Sequence, residues 1–250
     1  MKFGNGSIVY TPKRWIGEKV LVILEKKPLD VAGETIEILK PHLGDVEGIF
    51  LFGSFARNEQ TSQSDIDVIV ISGKIFGIKK TGKFDFTVKT KSEFAKEMKT
   101  DPTLFLYQIA REGTPILNES VLNKLKSVDI NPNFEKFFDD TIGAFKSARG
   151  LLAANKKFLD SNAAIYSLVL RLKGLFIIQC YKKNLQYSGK KFMELIKSHG
   201  FSEKTADAFL EAHRTEQDNR KAGAKISTSD AKKLFEAAKL EFLKAEALVK

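Results

Sequence analysis

Asp65 and Asp67 stand one residue apart in the apolar run Ser64-Asp-Ile-Asp-Val-Ile-Val70. Side chains alternate across a strand, so the two carboxylates project from one face while Ile66, Val68 and Val70 point into a core. Carboxylates about 6–7 Å apart on one strand face suit a pair of hard divalent cations. Upstream, the apolar strand Gly48–Phe52 runs into Gly53-Ser54, where a short helix opens. Gly53 lets the backbone approach a ligand closely, and the N–H groups of the following turn can receive a phosphate. The pattern places a phosphate cradle beside a magnesium site. Arg57 either touches a phosphate or pairs with Glu59.

These residues need a frame to hold them. Val31–Lys40 reads as an amphipathic helix ended by Pro41 and Gly44, and Asp65–Ile71 and Lys83–Thr90 as strands. Ser92–Met98 and Pro102–Arg111 read as helices, and Ser72–Gly82 as a loop whose lysines are solvated. This order predicts an α+β domain, a mixed sheet with helices on one face, over about residues 28–128.

Gly-Ser-x-Ala-Arg, seven residues and then Asp-x-Asp resembles the signature of the DNA-polymerase-β-like nucleotidyltransferases, most of all their minimal and aminoglycoside-type branch. The resemblance covers roughly Asp30 to Glu119 and implies a third carboxylate on a later strand, which Asp85 in Phe84-Asp-Phe-Thr-Val88 supplies. Gln108–Leu117 is similar to the closing segment of such domains. Asn58 departs from the family's usual glycine, but asparagine tolerates left-handed backbone. The resemblance implies a two-metal Mg2+ site at Asp65, Asp67 and Asp85, with Gly53, Ser54 and Arg57 toward the phosphates of ATP or another NTP. Asp85 would face the acceptor and take its proton. The acceptor is open: a small hydroxyl compound, a protein side chain or a nucleic-acid end.

Residues 129–250 carry helical periodicity almost throughout, with helices expected at Phe134–Asn155, Asp160–Lys183, Lys190–His199, Glu203–Asn219 and Ser229–Leu248. An antiparallel bundle follows, which resembles the substrate-binding helical domain of the aminoglycoside type and the HEPN domains. HEPN ribonucleases place a histidine four to six residues after an arginine; neither Arg214 nor Arg220 has one there. Glu211–Arg220 is unusually polar for a bundle helix and reads as a solvated helix end.

Residues 1–27 read as a β-hairpin, with strands at Ser7–Thr11 and Val20–Leu24. The segment is similar to the swapped hairpins of AbrB-like transcription factors, which implies a homodimer and places Lys13 and Arg14 toward DNA. The alternative is an extra edge on the chain's own transferase domain.

With 43% hydrophobic and 29% charged residues, the composition is that of a globular protein. The net charge of +10 is uneven: 19 basic against 17 acidic residues up to Ile130, 22 against 14 beyond. A basic half suits an anionic partner such as nucleic acid. Cys180 is the only cysteine, which excludes intrachain disulfides and cysteine-based metal clusters. No segment reads as a membrane span or a signal peptide, so a cytoplasmic protein is expected. The rival to an enzyme is a non-catalytic, nucleotide-sensing DNA-binding regulator or an antitoxin-type protein.

Overall fold

The computed structural model describes residues 2–3, 6–7, 10–21, 29–61, 64–78, 80–100, 104–130, 132–153, 157–159, 161–217 and 225–250. Among them the chain forms six strands and ten α-helices. It starts with a minimal antiparallel pair, β1 (Lys2–Phe3) and β2 (Gly6–Ser7). Of the hairpin expected from the sequence, Ser7 is in a strand, Tyr10, Thr11, Val20 and Leu21 are not, and residues 8–9 and 22–24 lie outside the described residues. A single 3-10 turn, Lys13–Trp15, is the only regular structure between Tyr10 and Leu21. No residue there is buried: Tyr10 is 78%, Ile16 79% and Leu21 85% exposed.

The sheet region begins with α1 (Val31–Leu39), capped by Asp30, whose Oδ1 accepts from the Gly33 N–H at 2.9 Å. Then follow β3 (Val46–Phe52), α2 (Gly53–Ala56), β4 (Ile66–Ser72), β5 (Phe84–Lys89), α3 (Lys91–Thr100), α4 (Phe105–Glu112), β6 (Thr114–Leu117) and α5 (Glu119–Lys126). The sheet order is β5-β4-β3-β6, with β4–β5 parallel and the other pairs antiparallel. This is the mixed α+β sheet expected from the sequence, but helices flank both of its faces rather than one, α1 on one side and α3, α4 and α5 on the other. β6 and α5 were not expected as elements. β6 is a four-residue edge strand containing Pro115, a residue an edge tolerates because it need not donate to a ladder.

β4 lies between two cores, which explains its near-continuous apolar run. On one face Ile66, Val68 and Val70 pack with Ile49, Phe84 and Leu39 of α1. On the other, Ile69 and Ile71 join Phe50 and Phe52 against α3, α4 and α5. This second core continues without a break into the helical bundle.

The bundle comprises α6 (Glu135–Leu152), α7 (Ala163–Lys182), α8 (Gly189–Ser198), α9 (Glu203–Gln217) and α10 (Thr228–Val249). The observed helices match the five expected ones to within three residues at each end, with residues 154–155, 160 and 218–219 of the expected spans lying outside the described residues. α7 is the central helix, packed against α6, α9 and α10. By length and composition α7 is apolar enough to cross a membrane, which corrects the expectation that no segment would be; here its apolar positions, Leu168, Val169, Leu172, Leu175 and Ile178 among them, form the bundle core. One polar knot pins the bundle. The buried Glu241 carboxylate of α10 accepts from Gln179 Nε2 at 2.7 Å and Lys244 Nζ at 2.7 Å, and lies 3.0 Å from His199 Nε2. Cys180 is buried, and burial pushes its thiol up.

Candidate active site

β3 ends at Phe52 and the chain reverses through Gly53, whose φ of +71° lies in the left-handed region. Glycine is required there for a second reason: a β-carbon would overlap the Asp67 carboxylate. The turn closes with the Arg57 N–H donating to the Gly53 carbonyl at 3.2 Å. Asn58 follows at φ +54°, the left-handed geometry that its side chain tolerates. Ser54 is half-buried, and its hydroxyl has no hydrogen-bond partner among the described residues.

The strand register brings the carboxylates to this turn. Phe52 pairs with Asp67 across the antiparallel β3–β4 ladder, and Asp67 pairs with Asp85 across the parallel β4–β5 ladder. Gly53, Asp67 and Asp85 therefore stand side by side at one end of the sheet. Burial first, and then the charges of Asp85 and Asp65, push the Asp67 carboxyl up to about 6. Asp65 sits just before β4, and its Oδ2 forms a 2.8 Å ion pair with Lys80 Nζ. That loop lysine was expected to be solvated. Among the described residues no group of three or more His, Cys, Asp or Glu side chains is assembled to hold a metal ion. The donor set fits a hard divalent cation: it is all carboxylate oxygen, and burial first, then the neighbouring carboxylates, disfavour the Asp67 anion that a cation would stabilise.

Two residues that sequence reasoning missed complete the arrangement. Glu112, the last residue of α4, accepts the Gly53 N–H on Oε1 at 2.9 Å and Arg57 Nη1 on Oε2 at 2.6 Å. Lys173 comes from the middle of α7. Burial lowers its pKa, the neighbouring Arg57 adds to this, and Glu112 and Asp67 oppose it. A lone lysine inside Leu172-Lys-Gly-Leu175 was the available signal, because a charge in an apolar helix needs a partner.

Arg57 itself pairs with Glu59, one of its two expected alternatives, through Nε at 2.9 Å. Burial disfavours its charge, but Glu112 and Glu59 outweigh this and raise its pKa. The polar stretch expected as a solvated helix end lies partly against α7. His213 stacks on Tyr166 with ring centroids 5.0 Å apart, and burial followed by the Lys173 charge lowers its pKa to about 4. Arg214 is exposed, and Arg220 lies outside the described residues.

Residues 34–121, which span Gly53, all three aspartates and Glu112, match the family model described as polymerase beta, nucleotidyltransferase. No curated protein matches the chain.

Proposed function

Because residues 34–121 form a nucleotidyltransferase domain of the DNA-polymerase-β-like superfamily, we propose that the protein moves a nucleoside monophosphate, AMP from ATP as the first case to test, onto a hydroxyl acceptor. The observation that carries this reading is the register of Asp67 against Asp85 beside the Gly53 turn.

In this reading Ser54 Oγ and the backbone of its turn receive the β- and γ-phosphates. Asp67 and Asp85, with Asp65 once it leaves Lys80, hold Mg2+. Bound there, Mg2+ would neutralise phosphate charge and make the α-phosphorus more electrophilic. Asp85 is exposed, so it can meet the acceptor and take the hydroxyl proton. The acceptor oxygen bonds to the α-phosphorus, the bond from that phosphorus to the bridging oxygen breaks, and pyrophosphate leaves with the electron pair. Lys173 supplies positive charge from the bundle wall beside Asp67. The remaining work is positioning and electrostatics, as phosphoryl-transfer chemistry requires.

The test is to incubate the full-length protein with α-labelled NTPs, Mg2+ and a cell extract, then to identify what becomes labelled. Label on a small hydroxyl compound, on a protein or on a nucleic-acid end names the acceptor. No label with any NTP removes the enzyme reading.

One observation favours a second reading. Residues Tyr10 to Leu21, with Lys13, Arg14 and Lys19 among them, are exposed throughout. A regulator that binds DNA through this segment while its transferase core senses nucleotide would retain DNA and bind Mg-ATP without turnover.

A further inference from the structure

A guanidinium four residues after the glycine turn is well placed to bind a nucleotide phosphate, yet the fold commits Arg57 elsewhere. Its Nη1 donates to Glu112 at 2.6 Å and its Nε to Glu59 at 2.9 Å. The guanidinium carbon lies 5.3 Å from the Tyr187 ring centroid, so one face of the plane rests on the bundle. The pair is sequestered, the Arg57 side chain 16% and the Glu112 side chain 5% exposed.

Both anchoring carboxylates have further partners. Glu112 holds the N–H of Gly53 with its other oxygen, and Gly53 is the residue packed on Asp67. Glu59 accepts Ser188 Oγ on Oε1 at 2.5 Å and the Gly189 N–H on Oε2 at 2.9 Å, at the start of α8. A continuous path therefore runs from Asp67 through Gly53, Glu112, Arg57 and Glu59 to the bundle.

We propose that Glu112 is a positioning residue of the transferase site, which fixes the Gly53 turn against Asp67 and holds Arg57 as a strut to the bundle rather than as a phosphate ligand. The proposal rests on the nucleotidyl-transfer reading given above. Glu112 touches no reacting atom and acts through Gly53. Arginine suits the strut, because its planar fork meets two carboxylates at once while its face stacks on an aromatic ring. With Glu112 shortened, the turn and the Asp67 carboxylate lose their fixed relation, and a misplacement of about 1 Å can cost about 100-fold in rate.

The experiment uses the full-length protein as Glu112→Ala, Glu112→Gln, Arg57→Ala and the Arg57→Ala/Glu112→Ala double variant. Three quantities are measured: kcat for transfer, the Kd of α,β-methylene ATP with Mg2+, and amide hydrogen exchange at Gly53. Glu112→Ala is expected to lower kcat about 100-fold with that Kd changed by less than about threefold. Glu112→Gln keeps an acceptor for the Gly53 N–H, so it retains slow exchange there and recovers at least about tenfold of the lost rate. Arg57→Ala adds little in the Glu112→Ala background, the non-additivity of residues that act as one unit.

An Arg57→Ala protein that binds the analogue about tenfold or more weakly than wild type makes Arg57 a phosphate ligand and overturns the proposal. An unchanged kcat in Glu112→Ala overturns it as well. If wild-type protein transfers no nucleotide, the functional reading fails by itself, and exchange at Gly53 still decides the contact. Fast exchange in Glu112→Ala but not in Glu112→Gln supports the strut, and equal exchange refutes it. Should Glu112→Ala fail to fold, the isosteric Glu112→Gln combined with Arg57→Ala carries the same comparison.

Discussion

Gly53 and Asp67 are packed so closely, one residue out of the Phe52–Asp67 register, that the glycine has no room for a β-carbon beside the carboxylate. Gly53→Ala would meet both this overlap and a φ of +71°. The turn must open or Asp67 must rotate away. Loss of transfer by about 100-fold or more is expected in a protein that still folds. Steady-state kinetics alongside a thermal melt check this, and full activity in Gly53→Ala would show that the turn does not set Asp67.

Asp67→Asn separates activity from stability. Loss of one metal-holding charge is expected to lower transfer about a thousandfold or more. Stability moves the other way. Folding raises the Asp67 carboxyl from 3.8 to about 6, so the native state binds this proton more tightly than the unfolded chain does. The stability it lends is complete below about pH 4 and is lost as the pH rises through about 6. Without metal, Asp67→Asn is expected to be more stable than wild type at pH 7.5 by on the order of 2 kcal/mol. That gap closes toward pH 4. Melts of both proteins across this range decide it, and a variant less stable than wild type at pH 7.5 contradicts the burial argument.

The same group sets an acid limb for catalysis. Without metal Asp67 protonates at about 6, so the apparent affinity for Mg2+ is expected to fall below that pH, and kcat/KM at sub-saturating Mg2+ with it. Lys173 favours the ionised form of Asp67. Lys173→Met is therefore expected to shift the limb to higher pH as well as to lower the plateau. A plateau that drops with the limb in place would give Lys173 no electrostatic hold on Asp67.

The pattern of the sequence made much of the frame legible. Ile66, Val68 and Val70 alternate with Asp67. Of the apolar stripe Leu234, Ala237, Ala238, Phe242, Ala245 and Leu248, the first three and Ala245 are buried in the bundle, Phe242 is partly buried, and Leu248 near the helix end is exposed. β6 was hidden because four residues including a proline carry no periodicity. The candidate site was legible where its residues are close in sequence, as Gly53 and Asp67, which the fold brings together, are. Glu112 was not, since it meets Gly53 across 59 residues of chain and nothing local marks a carboxylate at a helix end as a turn anchor. Arg57 with Glu59 could be suggested from proximity; the second arm to Glu112 could not.

A prediction about assembly rests on the exposed start of the chain. Tyr10, Ile16, Val20 and Leu21 present apolar surface that nothing among the described residues covers. A short two-stranded unit is marginal alone, and pairing with a second copy would shield it. Full-length protein is expected to be a dimer by light scattering and a version lacking residues 1–27 a monomer with its core folded. A monomeric full-length protein at micromolar concentration ends the swapped-hairpin reading.

Glu59 finishes the first turn of α8 from a different part of the chain. The loop after α2 is thereby part of the secondary structure of the bundle, which limits what recombination can do with this architecture. A chimera that joins residues 28–128 to a foreign helical bundle would leave Glu59 without its helix start and Arg57 without the Tyr187 face on which it rests. Exchanging bundles is open to such a protein only if the incoming bundle brings its own equivalents of Tyr187 and Ser188.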